Sequence, residues 1–260
     1  MKNFKCIESK DNSLIKLISL LQASAKARKE NGLFVLEGLR ICKDAYENGI
    51  QFDKLIFTKT AYDKFAQEIL KFADNSLENI QITDALFNKI SDTKSPQGII
   101  ALVSFAKVKN SKLDKNGRYI ALENVQDPSN LGAVCRTAEA LGVSGVIVSS
   151  NGCDPFSPKA LRASMGTALR LPIIELENFA ESLHASGLKL YSCVVDANAQ
   201  SIDSIKFEDG CVLIIGNEAN GITDETKNIS NQLITIPMKG NAESLNAAVA
   251  ASIAMWEMMK

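Results

Sequence analysis

Three separated segments of the chain share one plan: a short apolar run, a polar turn carrying glycine, then a helical pattern. This plan constrains the fold strongly, because such junctions gather at the carboxyl ends of strands in an open α/β sheet, where ligands bind. The first segment is Asn124–Val143, NVQDPSNLGAVCRTAEALGV. The preceding RYIALENV alternates toward a buried strand and Pro128 stops it. Leu131, Val134, Cys135, Ala138 and Leu141 then fall on one helical face, with Arg136 pointing off it. Asn124, Asp127, Asn130 and Arg136 are therefore candidates for chemistry. A plainer reading has Asp127 or Asn130 capping the helix and Arg136 pairing with Glu139, a surface contact worth roughly a few tenths of a kcal/mol.

Residues 211–222, CVLIIGNEANGI, read as a continuous apolar strand running into Gly216, Asn217, Glu218 and Gly221. A carboxylate just past a strand end is well sited to meet a ligand. Residues 235–250, TIPMKGNAESLNAAVA, repeat the plan: a short strand, Pro237, Gly240, then Ser244 and Asn246 at the mouth of a helix. Strands at 119–125, 145–149, 189–195, 211–216 and 233–237 alternate with helices, which predicts a largely parallel sheet covered on both faces.

Together, NVQDPSNLGAVCRTA, IIGNEANGI and IPMKGNAESLNAAVA resemble motifs one, two and three of the SpoU (TrmH) family of RNA ribose 2′-O-methyltransferases, in the SPOUT superfamily. A fourth segment, KALRASMGTALRLP at 159–172, is similar to the family's stretch between the first two motifs, and the likeness covers essentially all of residues 118–260. The resemblance implies a deep trefoil knot, which ordinary folding rules make a rare exception. It also implies S-adenosylmethionine held in that knot, largely by backbone groups, near Gly216, Asn217, Ile236, Met238 and Leu245. The catalytic set it implies is Arg136, Asn130, Glu218, Ser244 and Asn246. Neither G-x-G-x-x-G nor G-x-x-x-x-G-K-[ST] occurs, consistent with a different cofactor geometry.

The 260 residues suit two domains. The polar, lysine-rich KVKNSKLDKNG predicts a linker at 108–117, dividing an RNA substrate-binding domain at 1–107 from a methyltransferase domain at 118–260. In the first part the pattern predicts helices at 12–27, 38–48 and 60–72 and strands at 33–36, 54–57 and 98–105. With LFVLEGLR and SPQGIIALV, this small α/β module resembles the substrate-binding domain that several SpoU-family ribosomal RNA methyltransferases carry before the catalytic domain. The net charge of −1 hides a division: residues 1–117 carry +5 and residues 118–260 carry −6. Phosphate contacts are accordingly expected from the first part, at Arg28 and Arg40.

No apolar run has the length of a membrane span and the N-terminus lacks a signal-peptide core, so a cytoplasmic protein is expected. Six scattered cysteines without a C-x-x-C pair read as reduced, mostly buried thiols, and no metal site is implied. His184, the one histidine, reads as structural or surface. The final helix, about Ser244–Met259, is apolar nearly all round. Such a helix is buried on several sides, and relatives dimerise through it, so a homodimer is expected.

Methyl transfer to a ribose hydroxyl is an in-line displacement that requires alignment and stabilisation of charge on the 2′-oxygen. A guanidinium hardly loses its proton, so Arg136 is assigned charge stabilisation and substrate clamping. Asn130 would fix Arg136 or the ribose. Glu218 would orient Arg136 or accept from the nucleotide, and Ser244 and Asn246 would line the same pocket. Ribosomal RNA is favoured as substrate by the added N-terminal domain, with transfer RNA next; the alternative from another class is a non-catalytic RNA-binding protein that retains the fold.

Overall fold

Short strands alternate with helices, most of which begin on Asn, Ser, Thr or Asp, and each half of the chain has a separate sheet. The computed structural model describes residues 4–108, 113–196 and 198–260. Its chain divides into two units, Met1–Val108 with Phe156–Arg162, and Lys109–Pro155 with Ala163–Lys260. Residues 109–112 of the expected linker lie outside the described residues.

The first unit runs β1 (Lys5–Ile7), α1 (Ser13–Ala23), α2 (Ala25–Asn31), β2 (Leu33–Glu37), α3 (Leu39–Glu47), β3 (Phe52–Thr58), α4 (Lys59–Lys64), α5 (Ala66–Asp74), β4 (Ser76–Ile82), α6 (Asp84–Ile90) and β5 (Ile99–Ser104). Its sheet has the order β1-β4-β3-β5-β2; β1, β4 and β3 are parallel, while β5 runs antiparallel to both of its neighbours. Ile18, Leu21, Val35, Ile56, Ile80 and Phe87 are among the side chains that close one face of this sheet.

Two helices expected as single pieces are each broken once. Ser24 adopts extended φ/ψ, ending α1, and its hydroxyl accepts from the Ala27 N–H at 3.2 Å to start α2. Phe65, at φ −127°, separates α4 from α5. Sequence reading missed β1, β4 and α6. In β4, SLENIQI, polar residues dilute the apolar alternation; the strand is instead secured by Glu78, which accepts from Lys54 on β3 and from Lys5 on β1. The hydrogen bonds from Lys54 and then Lys5 hold the Glu78 carboxyl below the usual range.

Arg28 does not present its charge to a ligand. It is 4 % exposed, and its Nη1 donates to the Leu21 and Gln22 carbonyls at 2.5 and 3.2 Å. These belong to the last turn of α1, where carbonyls lack intrahelical partners. The arginine is thus a C-terminal cap, and the expected phosphate contact at this residue is set aside. Arg40 is exposed in the first turn of α3.

The second unit contains β6 (Arg118–Leu122), α7 (Pro128–Leu141), β7 (Gly145–Ser149), the end of α8 (Pro158–Ala163), β8 (Ile173–Leu176), α9 (Phe179–Ala185), β9 (Lys189–Cys193), β10 (Gln200–Ser201), β11 (Cys211–Ile215), α10 (Asp224–Ile229), β12 (Gln232–Thr235) and α11 (Ala247–Met258). Seven strands in the order β10-β12-β9-β11-β6-β7-β8 are all parallel, as the sequence pattern predicts, with β8 and β10 additional to it. β6, β7 and β11 contain almost wholly buried residues, as expected of strands covered on both faces. Helix α11 starts three residues later than the sequence pattern suggests, because the Asn246 Oδ1 accepts from the Ala248 and Val249 N–H groups and fixes the cap there.

His184 is exposed near the end of α9. Burial pushes the thiols of Cys42, Cys135 and Cys193 up to about 12 and that of Cys211 up to about 11, so these four remain protonated near neutrality. Cys6, by contrast, is exposed. Among the described residues no helix is long and apolar enough to cross a membrane.

Because Arg28 satisfies two carbonyls from a buried position, Arg28→Ala should destabilise the protein by about 2 kcal/mol or more in denaturant melts. A loss below roughly 0.5 kcal/mol would show that this cap is dispensable.

Candidate active site

The carboxyl ends of β9, β11 and β12 open onto a cavity of about 780 Å³ within the second unit. Eight residues singled out by sequence line it: Gly216, Asn217 and Glu218 after β11, Ile236 and Met238 after β12, and Ser244, Leu245 and Asn246 before α11. Parallel pairing places these loops on one edge of the sheet, so residues distant in sequence converge there.

Gly216 is required by packing. A Cβ at this position would lie 2.1 Å from the Gly221 carbonyl carbon and 2.3 Å from the Ile222 nitrogen. The loop that approaches so closely is closed by reciprocal bonds, Asn217 N–H to Gly221 O at 3.0 Å and Gly221 N–H to Asn217 O at 2.9 Å. Gly221 adopts φ +67°, a conformation that favours glycine. Inside the loop the Asn217 Oδ1 accepts from the Ala219 and Asn220 N–H groups, and its Nδ2 donates to the Asn124 carbonyl at 2.8 Å.

Asn124 itself turns the chain out of β6 at φ +54°, a region that asparagine tolerates better than most residues. Its N–H donates to the Ser149 Oγ at 2.7 Å and its Oδ1 accepts from the same hydroxyl at 3.1 Å. Asp127 is the N-cap of α7, accepting from the Ser129 N–H at 2.8 Å, and Pro128 opens the helix. Here the plainer sequence reading holds for the cap.

Glu218 is committed to internal donors. Its Oε1 accepts from the Asn130 Nδ2 at 2.8 Å and the Asp127 N–H at 3.2 Å, and its Oε2 from the Gln126 N–H at 3.2 Å. Burial pushes this carboxyl up, but the bonds from Asn130 and the backbone outweigh it and hold the group below its ordinary value. Asn130, 7 % exposed, in turn accepts from the Asn246 Nδ2 at 3.0 Å. One relay therefore joins the loop after β11, the start of α7 and the start of α11.

Arg136 stands apart from this cluster. It is exposed on α7, has no hydrogen bond or ion pair among the described residues and does not line the cavity. Nor does it pair with Glu139, which binds Arg170. Sequence reading missed the contribution of β9: Cys193, Val194, Val195 and Asp196 line the cavity, as do Lys227 and Glu243. Asp196 follows a strand end as Glu218 does, so the same positional signal was present. Glu123 was also missed. It is 3 % exposed and accepts from the Thr223 N–H, the Thr223 Oγ1 and the Thr226 Oγ1 at 2.9, 2.7 and 2.7 Å, bracing the far end of the β11 loop.

If Glu218 secures the first loop, Glu218→Ala should speed amide hydrogen exchange at Gln126 and Asp127 by about tenfold, leaving β11 protected. Unchanged exchange at both amides would remove the carboxylate from that role. For native Glu218 the folded value is depressed, so its contribution is complete above its unfolded value near 4.5 and is lost as pH falls through the lower folded value.

Comparison with known proteins gives the family. Residues 117–256 match the model of the SpoU rRNA methylase family, and residues 12–101 match that of the MRM3-like substrate binding domain. An uncharacterised tRNA/rRNA methyltransferase of Synechocystis is 30% identical over 254 residues, covering 96% of this chain and 92% of that protein. The 23S rRNA (guanosine(2553)-2'-O)-methyltransferase RlmP of Bacillus subtilis is 28% identical, covering 98% and 99%. An AdoMet-bound rRNA methyltransferase from Sinorhizobium meliloti superposes with a TM-score of 0.83 at 28% identity, covering 98% of this chain and 97% of that one. The cavity suits such a donor: it falls in the range of small-molecule sites, Ile215, Ile236, Met238 and Leu245 offer an apolar wall, and the carboxylates of Asp196 and Glu243 favour a cationic ligand. By motif, fold and site, the chain belongs to the SpoU rRNA methylase family.

Proposed function

We propose that this protein methylates a ribose 2′-hydroxyl of RNA with S-adenosylmethionine as donor, ribosomal RNA being the preferred substrate and transfer RNA the second. The observation that carries this reading is the convergence of the second and third family segments on one cavity, with the first tied to both through the bonds of Asn130 to Glu218 and Asn246. Gly216, Asn217, Ile236, Met238 and Leu245 hold the donor in this reading, which when bound supplies an electrophilic methyl on a sulfonium. Transfer of that methyl would leave the neutral thioether of the donor, and the proton of the 2′-hydroxyl would pass to solvent. What the protein adds is alignment and stabilisation of charge on the oxygen.

Arg136 is assigned that charge stabilisation, with its planar fork on the 2′-oxygen or an adjacent phosphate. Ser244, on the cavity wall, positions the ribose. Asn130 and Asn246 act through the loops they fix, and the bonds made by Glu218 give it the same role in place of a nucleotide contact. Residues 118–260 perform the chemistry and residues 1–107 hold RNA. The +5 surplus of residues 1–117 and the substrate-binding family match support that division, with exposed Arg40 as a phosphate contact. A cytoplasmic location is assigned as part of the same reading.

The working form is a homodimer. Val249, Ile253 and Trp256 recur at helical spacing on α11 and are 48%, 37% and 57% exposed, an apolar stripe that a second copy would cover. α7 packs beside α11, with Thr137 and Ser252 hydroxyls 3.1 Å apart, so the helix that carries Arg136 adjoins the helix that carries this stripe. A dimer across it would let Arg136 of one copy serve the cavity of the other, accounting for its absence from its own. The trefoil knot of the family is assigned to the chain from β11 onward; the parallel sheet order and the return of α11 onto α7, β11 and β6 support it.

Arg136→Ala should abolish methyl transfer while S-adenosylmethionine affinity by calorimetry stays within about threefold, and Arg136→Lys should also fail because it lacks the fork. Normal turnover in the alanine variant removes the role. Light scattering at micromolar concentration should give twice the 28.2 kDa chain mass, and Trp256→Glu should give that mass once. A native monomer would contradict the dimer.

A further inference from the structure

An arginine that serves a passing RNA substrate must not be neutralised by its own helix. Arg136 has a candidate quencher in Glu139, at a spacing where opposite charges on a helix pair. That pair is not formed. Instead the Arg170 Nε and Nη2 donate to the two oxygens of Glu139 at 2.5 and 2.7 Å, a bidentate arrangement. The two side chains are 24% and 34% exposed, so the pair is partly shielded from solvent. The hydrogen bond from Arg170 holds the Glu139 carboxyl below its ordinary range despite burial.

The position of Arg170 is set by backbone packing. It ends the short 3-10 turn Thr167–Leu169, which packs against α7. Just upstream, Ala163 and Ser164 approach α7 so closely that a Cβ on Gly132 would fall 2.4 Å from the Ala163 Cβ and 2.6 Å from the Ser164 nitrogen. Gly132 lies four residues before Arg136, on neighbouring surface of the same helix. The segment that delivers Arg170 is therefore anchored on the flank of α7 that carries Arg136.

We propose that Arg170 is a positioning residue for methyl transfer: it sequesters Glu139 and so keeps the Arg136 guanidinium available to the RNA. This inference rests on the role given to Arg136 above. Without Arg170, Glu139 pairs with Arg136, and a full negative charge is left beside the path of the incoming phosphate. Both effects disappear if Glu139 is neutral as well.

The test compares the full-length protein with Arg136→Ala, Arg170→Gln, Arg170→Lys, Glu139→Gln and the double variant Arg170→Gln/Glu139→Gln. Each is assayed on ribosomal RNA from cells lacking the gene, with S-adenosylmethionine affinity measured by calorimetry. Arg170→Gln should lower kcat/KM by about threefold to tenfold, more at low salt, with donor affinity unchanged within about twofold. Glu139→Gln should stay near the native rate, Arg170→Lys should retain more than about half of it, and the double variant should return to within about twofold. A native rate in Arg170→Gln, or a double variant as impaired as that single one, overturns the proposal while an inactive Arg136→Ala leaves the reading of Arg136 standing. Full activity in Arg136→Ala overturns both.

Discussion

Asn130 spends its side-chain amide holding three loops together. Its nitrogen must face the Glu218 carboxylate, which can only accept, and this turns its oxygen toward Asn246. Asn246 is then obliged to offer its own nitrogen, leaving its oxygen free to cap α11 through Ala248 and Val249. Each choice of orientation forces the next, so the start of α7, the loop after β11 and the start of α11 are set in one register. Gly216 and Leu245, which line the cavity, are carried on two of the segments that this relay joins.

Much of this was legible in sequence because its physical cause is local. A strand that runs unbroken into Gly216 and a helix that opens after Pro128 both announce themselves, and with several such junctions in a parallel sheet their convergence follows. The partner of each polar side chain was not legible, because hydrogen-bond partners lie about 90 to 120 residues apart in the chain. Glu218 looked like a group awaiting a ligand and accepts hydrogen bonds from Gln126, Asp127 and Asn130. Arg28 looked like a phosphate contact within a basic run and proves to be buried on the carbonyls of Leu21 and Gln22. Asp196 follows a strand end as Glu218 does and lines the same cavity.

Charge is distributed to match the chemistry proposed. The half of the chain with the donor cavity carries a net −6 and lines that cavity with Asp196, Glu218 and Glu243, whereas Lys227 there is paired with Asp224 at 2.9 Å. An acidic surrounding favours a cationic donor and disfavours stray polyanion. Arg136, given to the RNA in that proposal, is an exposed guanidinium, and Glu139, the acid three residues on, is bound to Arg170. The basic surplus, meanwhile, lies in residues 1–117, the part to which the proposed function gives phosphate contacts.

The central claim, that the segments following β9, β11 and β12 form one donor site, is tested most directly by hydrogen exchange with and without S-adenosylmethionine. The account predicts that the donor slows exchange together in residues 193–196, 215–222 and 235–247, and leaves β1 to β5 unaffected. Protection confined to one of those segments, or found only outside all three, would contradict it.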